Sequence, residues 1–438
     1  MQRSKHTYYL LAATTALGLV LSGCGGGTTD TASGDGDEDG GEGTARGGEE
    51  ITLSVATFNE FGYEDLLTEY EEANPGVTVK HVKADTADNA RAALRNSLGA
   101  NSGAADIEAI EVDWVTEFKQ YPDKFVDLAS ADVEGRWLDW KTEAVTLEDG
   151  TLMGYGTDIG PEAVCYRSDL FEEAGLPTDR EEVAELLGES WEDYFAVGKE
   201  FVASSDAAWY DSAGALWQGM INQVDYAYED ENDEIIATQN PQVRALYDQV
   251  LAASVDDELS AGLGQWSADW ASAFQGDEFA TMLCPGWMLG VIEGNAAGVE
   301  GWDIANVFPG GGGNWGGSYL TVPSQGKNVE EATKLAAWLT APEQQIKAFE
   351  AKGTFPSQKE ALESEVLLGA TNPFFNDAPT GQILAERAEA VTMMPHKGPH
   401  YFEINTALQD AITRVDVDGT DDPDSSWDKF ADAVEALG

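Results

Sequence analysis

The sequence predicts an α/β protein. Two observations carry that expectation. Strand-period and helix-period segments alternate from residue 51 onward, with glycine or proline at several of the changes, as at Asn74-Pro75-Gly76. The composition adds that a large core is available: 42% of the 438 residues are hydrophobic, with 13 Trp, 14 Tyr and 16 Phe, so wholesale disorder is excluded.

The elements follow in order. Ile51, Leu53 and Val55 alternate with polar residues, the period of a strand. Leu66, Leu67 and Tyr70 share one face of a helix over 64–72, which Asn74-Pro75-Gly76 stops. Val77, Val79 and His81 alternate again, a second helix covers 87–98, and a third strand covers 106–112. Strand–helix–strand–helix–strand predicts a lobe with a parallel sheet. A short strand follows at 163–166. Residues 179–300 are richer in helix, at 180–187, 191–203, 241–253 and 266–275, with a buried strand at 279–283. A four-glycine turn at 310–313 precedes a strand at 319–322. Helices at 329–339 and 342–351 are divided at Thr340-Ala341-Pro342, and the remainder is mainly helical with a loop at 418–426. No internal repeat is found.

The first residues read as an export signal. Arg3 and Lys5 precede an apolar run over 8–21, shorter than the ~20 residues that span a membrane comfortably. Leu21-Ser22-Gly23-Cys24 then resembles the bacterial lipobox, so residues 1–23 are expected to be a lipoprotein signal and Cys24 the lipidated residue. The alternative is an ordinary signal peptide with a chance cysteine. Residues 24–50 combine that cysteine with a Gly-rich acidic stretch lacking aromatic and large aliphatic side chains. It is expected to be a disordered tether, with a random-coil span of ~28 Å.

Acidic residues number 80 and basic ones 24, a formal charge of −56. A nucleic-acid or anionic-lipid binder needs a positive face, so no nucleic-acid partner is expected. The acids recur throughout the chain, which reads as a solvated surface suited to a salty medium; an acidic site for cationic ligands is the alternative.

Catalytic groups are scarce. His396 and His400 are four apart, but Pro395, Gly398 and Pro399 forbid a regular helix there, so no metal site is expected. No common zinc, nucleophile-elbow or phosphate-loop pattern occurs, no cofactor is implied, and the chain is not expected to be an enzyme. Tryptophan is the informative residue. Trp114, Trp217, Trp287 and Trp315 each sit beside a turn or strand end, where an indole face can stack on the C–H face of a pyranose. A core role stays open for each. Trp338, beside Leu335 and Leu339, is assigned to the core. Cys165 and Cys284 fall at strand ends of an exported chain; a disulfide is permitted, and two buried thiols are the alternative.

Four stretches together resemble a known family: ADIEAIEVDW (105–114), GTDIGPEAVCYRSDLFEEAGLP (156–177), FATMLCPGWMLGVI (279–292) and NWGGSYLTVPSQGKNVEEATKLAAWLTAPEQQIKAF (314–349). They resemble the family 1 extracellular solute-binding proteins of ABC importers, relatives of maltose-binding protein, and especially its Gram-positive sugar-binding lipoproteins. The resemblance implies a two-lobe, periplasmic-binding-protein-like fold of class II type with an inter-lobe cleft. It implies a first lobe of 51–159 plus 316–355, a second of 165–305 plus 356–438, and hinge crossovers at 160–164 and 306–315. It also implies ligand contacts at Asn59, Glu60, Asp113, Trp114, Asp158, Trp217, Gln218, Trp287, Trp315, His400 and Tyr401. The implied ligand is a neutral sugar or oligosaccharide, passed to the transmembrane subunits of an ABC permease by a monomer anchored on the outer face of the membrane through Cys24. The rivals are a binding protein for a cationic solute, polyamine or iron, and a secreted carbohydrate-active enzyme.

Overall fold

The computed structural model describes residues 50–437. The signal peptide, Cys24 and nearly all of the tether lie outside the described residues. The strands are β1 (Ile51–Phe58), β2 (Val77–Ala84), β3 (Ile107–Glu111), β4 (Gly154–Gly156), β5 (Asp158–Ile159), β6 (Glu162–Arg167), β7 (Ala208–Tyr210), β8 (Phe279–Pro285), β9 (Trp302–Ala305), β10 (Ser318–Thr321) and β11 (Phe355–Pro356).

The first lobe is built on a sheet ordered β2-β1-β3-β10-β4. β1 runs parallel to β2 and β3, as the alternation of strands and helices requires. β10 is antiparallel to both β3 and β4, so the sheet is mixed, not wholly parallel as expected. The reason is topological: β10 returns to this sheet after the chain has built the second one, and enters in the opposite sense. Leu53, Val55, Ile107, Ile110 and Leu320 fill its core with apolar faces of the helices Glu64–Ala73, Ala87–Ala100 and Val329–Leu339.

The second lobe carries a sheet ordered β7-β8-β6-β9. β6 is buried along its whole length, and its period of two divides the apolar residues between two faces. Val164 and Tyr166 join a core with the helices Trp191–Val202, Ala213–Ile221 and Tyr401–Asp416. Ala163 and Cys165 join a separate cluster with Met282, Trp302, Phe355 and Leu384. Within it Cys165 and Cys284 form a disulfide, with Cα atoms 5.7 Å apart.

The chain leaves the first lobe through β5 and returns between β9 and β10. β5 pairs with β11 as a two-stranded ribbon, antiparallel from Ile159 opposite Phe355. Residues 162–164, expected within a crossover, are already part of β6. The crossovers touch where Trp315 N donates to Gly160 O at 2.8 Å. A Cβ on Gly160 would fall 1.8 Å from that Trp315 oxygen, so only glycine permits the approach.

Candidate ligand-binding cleft

A cavity of about 350 Å³ lies between the lobes, within the range of small-molecule sites. The end of β1 supplies Phe58 and the following turn supplies Asn59, Glu60 and Phe61; the end of β3 supplies Glu111, Asp113 and Trp114. Asp158 and residues 316–318 form the floor, and Gln265, Trp266, Trp287 and Val291 form the facing wall. Asn59 turns the chain out of β1 in the left-handed region, φ 47°, which asparagine tolerates better than most residues.

Indoles dominate one side. Trp266 and Trp287 lie nearly parallel, with centroids 5.9 Å apart at 26°. Trp287 meets Trp315 edge to face at 5.6 Å and 88°. Trp266 is 44% exposed and has φ 68°, a strained conformation for so bulky a residue. It stands before Ser267, whose hydroxyl caps the helix Ala268–Ala273, and it leans on Trp270. Trp270 is held from behind by its indole N–H donating to buried Asp211 at 2.8 Å.

The carboxylates of the opposite side come with their own counter-charges. Glu60 bonds Lys83, and Lys352 lies 3.4 Å away. Partial burial pushes the Glu60 carboxyl up, but those two ammonium groups leave it below its ordinary value. Asp113 is ion-paired with Lys397. Burial, then the neighbouring Asp113, push the carboxyl of Glu111 well above the ordinary range. Asp158 Oδ1 accepts from Thr157 Oγ1 at 2.7 Å and Ser318 N at 3.0 Å. Beneath the floor, the buried Lys141 ammonium sits 4.0 Å from the Tyr319 ring centroid, and burial lowers it to about 8. Lysines thus compensate Glu60 and Asp113, Asp158 is met by neutral donors, and Asp88 reaches the cavity with no ion pair among the described residues.

Seven of the residues expected at the site come together here: Asn59, Glu60, Asp113, Trp114, Asp158, Trp287 and Trp315. Trp114 is 1% exposed, because the turn after β3 folds its indole back between Phe58 and Phe118 while Asp113 keeps to the cleft. Four others lie off the cavity wall. Trp217 is fully buried in the second-lobe core, its N–H donating to Tyr228 Oη at 3.1 Å; both ring faces are packed, so it is corrected to a core residue. Gln218 is buried beside it and accepts from Asn405 Nδ2 at 2.9 Å. His400 precedes the helix Tyr401–Asp416, its amide donating to Glu229 at 3.0 Å. Tyr401 is buried against Tyr228, behind Lys397.

Sequence reasoning missed Trp266, Gln265, Glu111 and Lys397. Trp266 was expected to begin a helix; the available signal was Ser267 as a helix cap, which leaves residue 266 outside the helix. Lys397 had no local signal, because its partner is 284 positions away.

Contacts already bridge the lobes. Arg91 bonds Glu117 at 2.7 Å and Glu403 at 2.6 Å, and its guanidinium stacks on Phe402 at 3.8 Å. Thr116 Oγ1 donates to the Lys397 carbonyl at 2.7 Å. Among the described residues no cluster of three metal-ligating side chains occurs, and no helix is long and apolar enough to cross a membrane.

Comparison with known proteins agrees with this architecture. A crystal structure of an extracellular solute-binding protein of family 1 is 49% identical, superposes with a TM-score of 0.78, and is covered to 99% by 88% of this chain. The ABC-transporter-associated binding protein of B. animalis subsp. lactis, solved with β-1,6-galactobiose, shares the fold at 20% identity and a TM-score of 0.75, over 88% of this chain and 96% of that one. The arabinooligosaccharide-binding protein of Halalkalibacterium halodurans is 26% identical over 260 residues. This match spans 56% of this chain and only 56% of that relative. Residues 65–376 match the family of bacterial extracellular solute-binding proteins, and the chain belongs to that family.

Proposed function

We propose that this protein captures a neutral sugar or oligosaccharide in the cleft and delivers it, unaltered, to the transmembrane subunits of an ABC importer. The observation that carries the reading is the pairing of three cleft indoles, Trp266, Trp287 and Trp315, with two carboxylates, Glu60 and Asp113, that lysines of the same chain already engage. Indole faces stack on sugar C–H faces, and the polar wall takes the hydroxyls. A micromolar ligand needs ~8 kcal/mol, within reach of two or three stacked rings and charge-assisted hydrogen bonds. The arabinooligosaccharide-binding relative supports the same ligand class.

The bodies that close on the ligand are taken as 51–159 with 316–355 and 165–305 with 356–438. Arg91, Glu403 and Lys397 would make or break contacts as they hinge. In this reading the protein is a monomer tethered outside the cell by lipidated Cys24, binds no nucleic acid, and does no covalent chemistry. A cationic ligand is disfavoured because internal lysines already occupy Glu60 and Asp113.

Thermal-shift screening in high salt tests the proposal, since a ligand raises stability by mass action. A neutral oligosaccharide is expected to raise Tm and to be recovered intact. A shift with spermidine or iron alone, or release of hydrolysis products, overturns it.

A further inference from the structure

The segment 391–400 crosses to the first lobe as irregular chain, and its one lysine ends inside the inter-lobe space. Lys397 has a side chain only 8% exposed. It is ion-paired with Asp113, its ammonium lies 4.9 Å from the Tyr401 ring centroid, and Glu111 and Glu162 are near enough for its charge to act on both. Glu162, at the start of β6, is fully buried and neither of its oxygens has a partner among the described residues. Three carboxyl groups from two lobes thus face one lysine.

The backbone around Lys397 is fixed on every side. The His396 amide donates to Asp225 O at 2.7 Å, and its ring meets Asp233 at 2.9 Å. Thr116 holds the Lys397 carbonyl at 2.7 Å. A Cβ on Gly398 would lie 2.4 Å from the Glu229 carboxyl carbon, so a larger residue there would displace that carboxyl group. The same Glu229 accepts the His400 amide at 3.0 Å. A surface lysine needs none of this; here five contacts deliver one ammonium to one carboxylate.

The geometry points to Lys397 as the specificity-determining residue of the cleft: it fills, from within the chain, the place at Asp113 that the ammonium of a cationic solute would take. The cleft is thereby reserved for neutral, hydroxyl-bearing ligands. This rests on the neutral-ligand reading above and names the residue that enforces it. Without Lys397, Asp113 is a largely buried carboxylate missing its partner, a costly arrangement that any amine able to enter would relieve. An arginine retains the charge, whereas a methionine retains only the stem lying against Tyr401.

The test is calorimetric titration of wild type, Lys397→Met, Lys397→Arg and the double variant Asp113→Asn, Lys397→Met with spermidine and, separately, with arabino-, malto- and galacto-oligosaccharides. Salt near 1 M, where the screening length is ~3 Å, suppresses attraction of spermidine to the acidic surface. Wild type and Lys397→Arg are expected to give no saturable spermidine heat. Lys397→Met is expected to bind spermidine at least tenfold more tightly than wild type, and the double variant to lose that gain. Lys397→Met with a native near-ultraviolet spectrum and no gain overturns the inference, while oligosaccharide binding by wild type leaves the neutral-ligand reading standing. A gain that persists in the double variant also overturns it, because Asp113 is then not the recruiting group. Saturable spermidine binding by wild type overturns the neutral-ligand reading and this inference together.

Discussion

The indole N–H of Trp287 donates to the carbonyl oxygen of Trp315 at 2.8 Å, and the two rings meet edge to face. One residue belongs to the second lobe and the other to the returning crossover, so a cleft wall is fastened to the segment about which the lobes move. Both indoles stay partly exposed and line the cavity. Trp287→Ala removes both the bond and a stacking surface. Its expected effect is a loss of tenfold or more in oligosaccharide affinity with an unchanged far-ultraviolet spectrum. Unchanged affinity would remove Trp287 from the site.

Trp266 carries strain that a purely structural residue would have no reason to keep. Trp266→Gly accepts φ 68° without a Cβ clash. Relief of that strain should offset the lost contacts with Trp270 and Trp287, leaving stability within about 1 kcal/mol of wild type. Affinity should fall at least tenfold. Denaturant unfolding and calorimetric titration read the two effects separately, and a variant with full affinity would make the exposed indole irrelevant to binding.

Asp211 gives the fold a pH dependence. Burial raises its carboxyl from the ordinary 3.8 to about 6, although Trp270 and Gln265 donate to it. Because the folded value is the higher one, the stability contributed is complete below about pH 4 and is lost as pH rises through about 6. Asp211→Asn has no proton to lose. The stability of the variant relative to wild type should therefore increase by about 3 kcal/mol between pH 4 and pH 8. A difference that is flat with pH in urea unfolding would contradict the assignment.

The disulfide closes a loop of sequence separation 119. On the chain-entropy account a loop of that size is worth about 4–5 kcal/mol. The chain from residue 50 onward should titrate no free thiol when denatured without reductant, and two after reduction. Two thiols before reduction would mean the bridge does not form.

The sequence revealed most where a period ran long enough. β1, β2 and β3 and the helices between them follow directly from Leu53, Val55, Leu66, Tyr70 and Val79. β4, β5, β7 and β11 have only two or three residues each, too few for a period to register. The antiparallel entry of β10 is a property of the chain's route between lobes, which local pattern does not encode. In the cleft, Trp287 and Trp315 stood out beside glycines. Trp217 sits in Ala213–Ile221, a helix buried nearly all round, and that run, apolar but for Gln218, was the sign that its indole belonged to the core. Lys397 depends on Asp113, a pairing that exists only once the lobes are assembled.

The most direct test of the whole account is tryptophan fluorescence of the wild-type protein in high salt, titrated with arabino-, malto- and galacto-oligosaccharides and with spermidine, with the sugars recovered and analysed afterwards. A saturable one-to-one response to a neutral oligosaccharide, recovered chemically intact, is the result predicted by a cleft walled by Trp266, Trp287 and Trp315. A response to spermidine alone, or a sugar recovered in fragments, would contradict it.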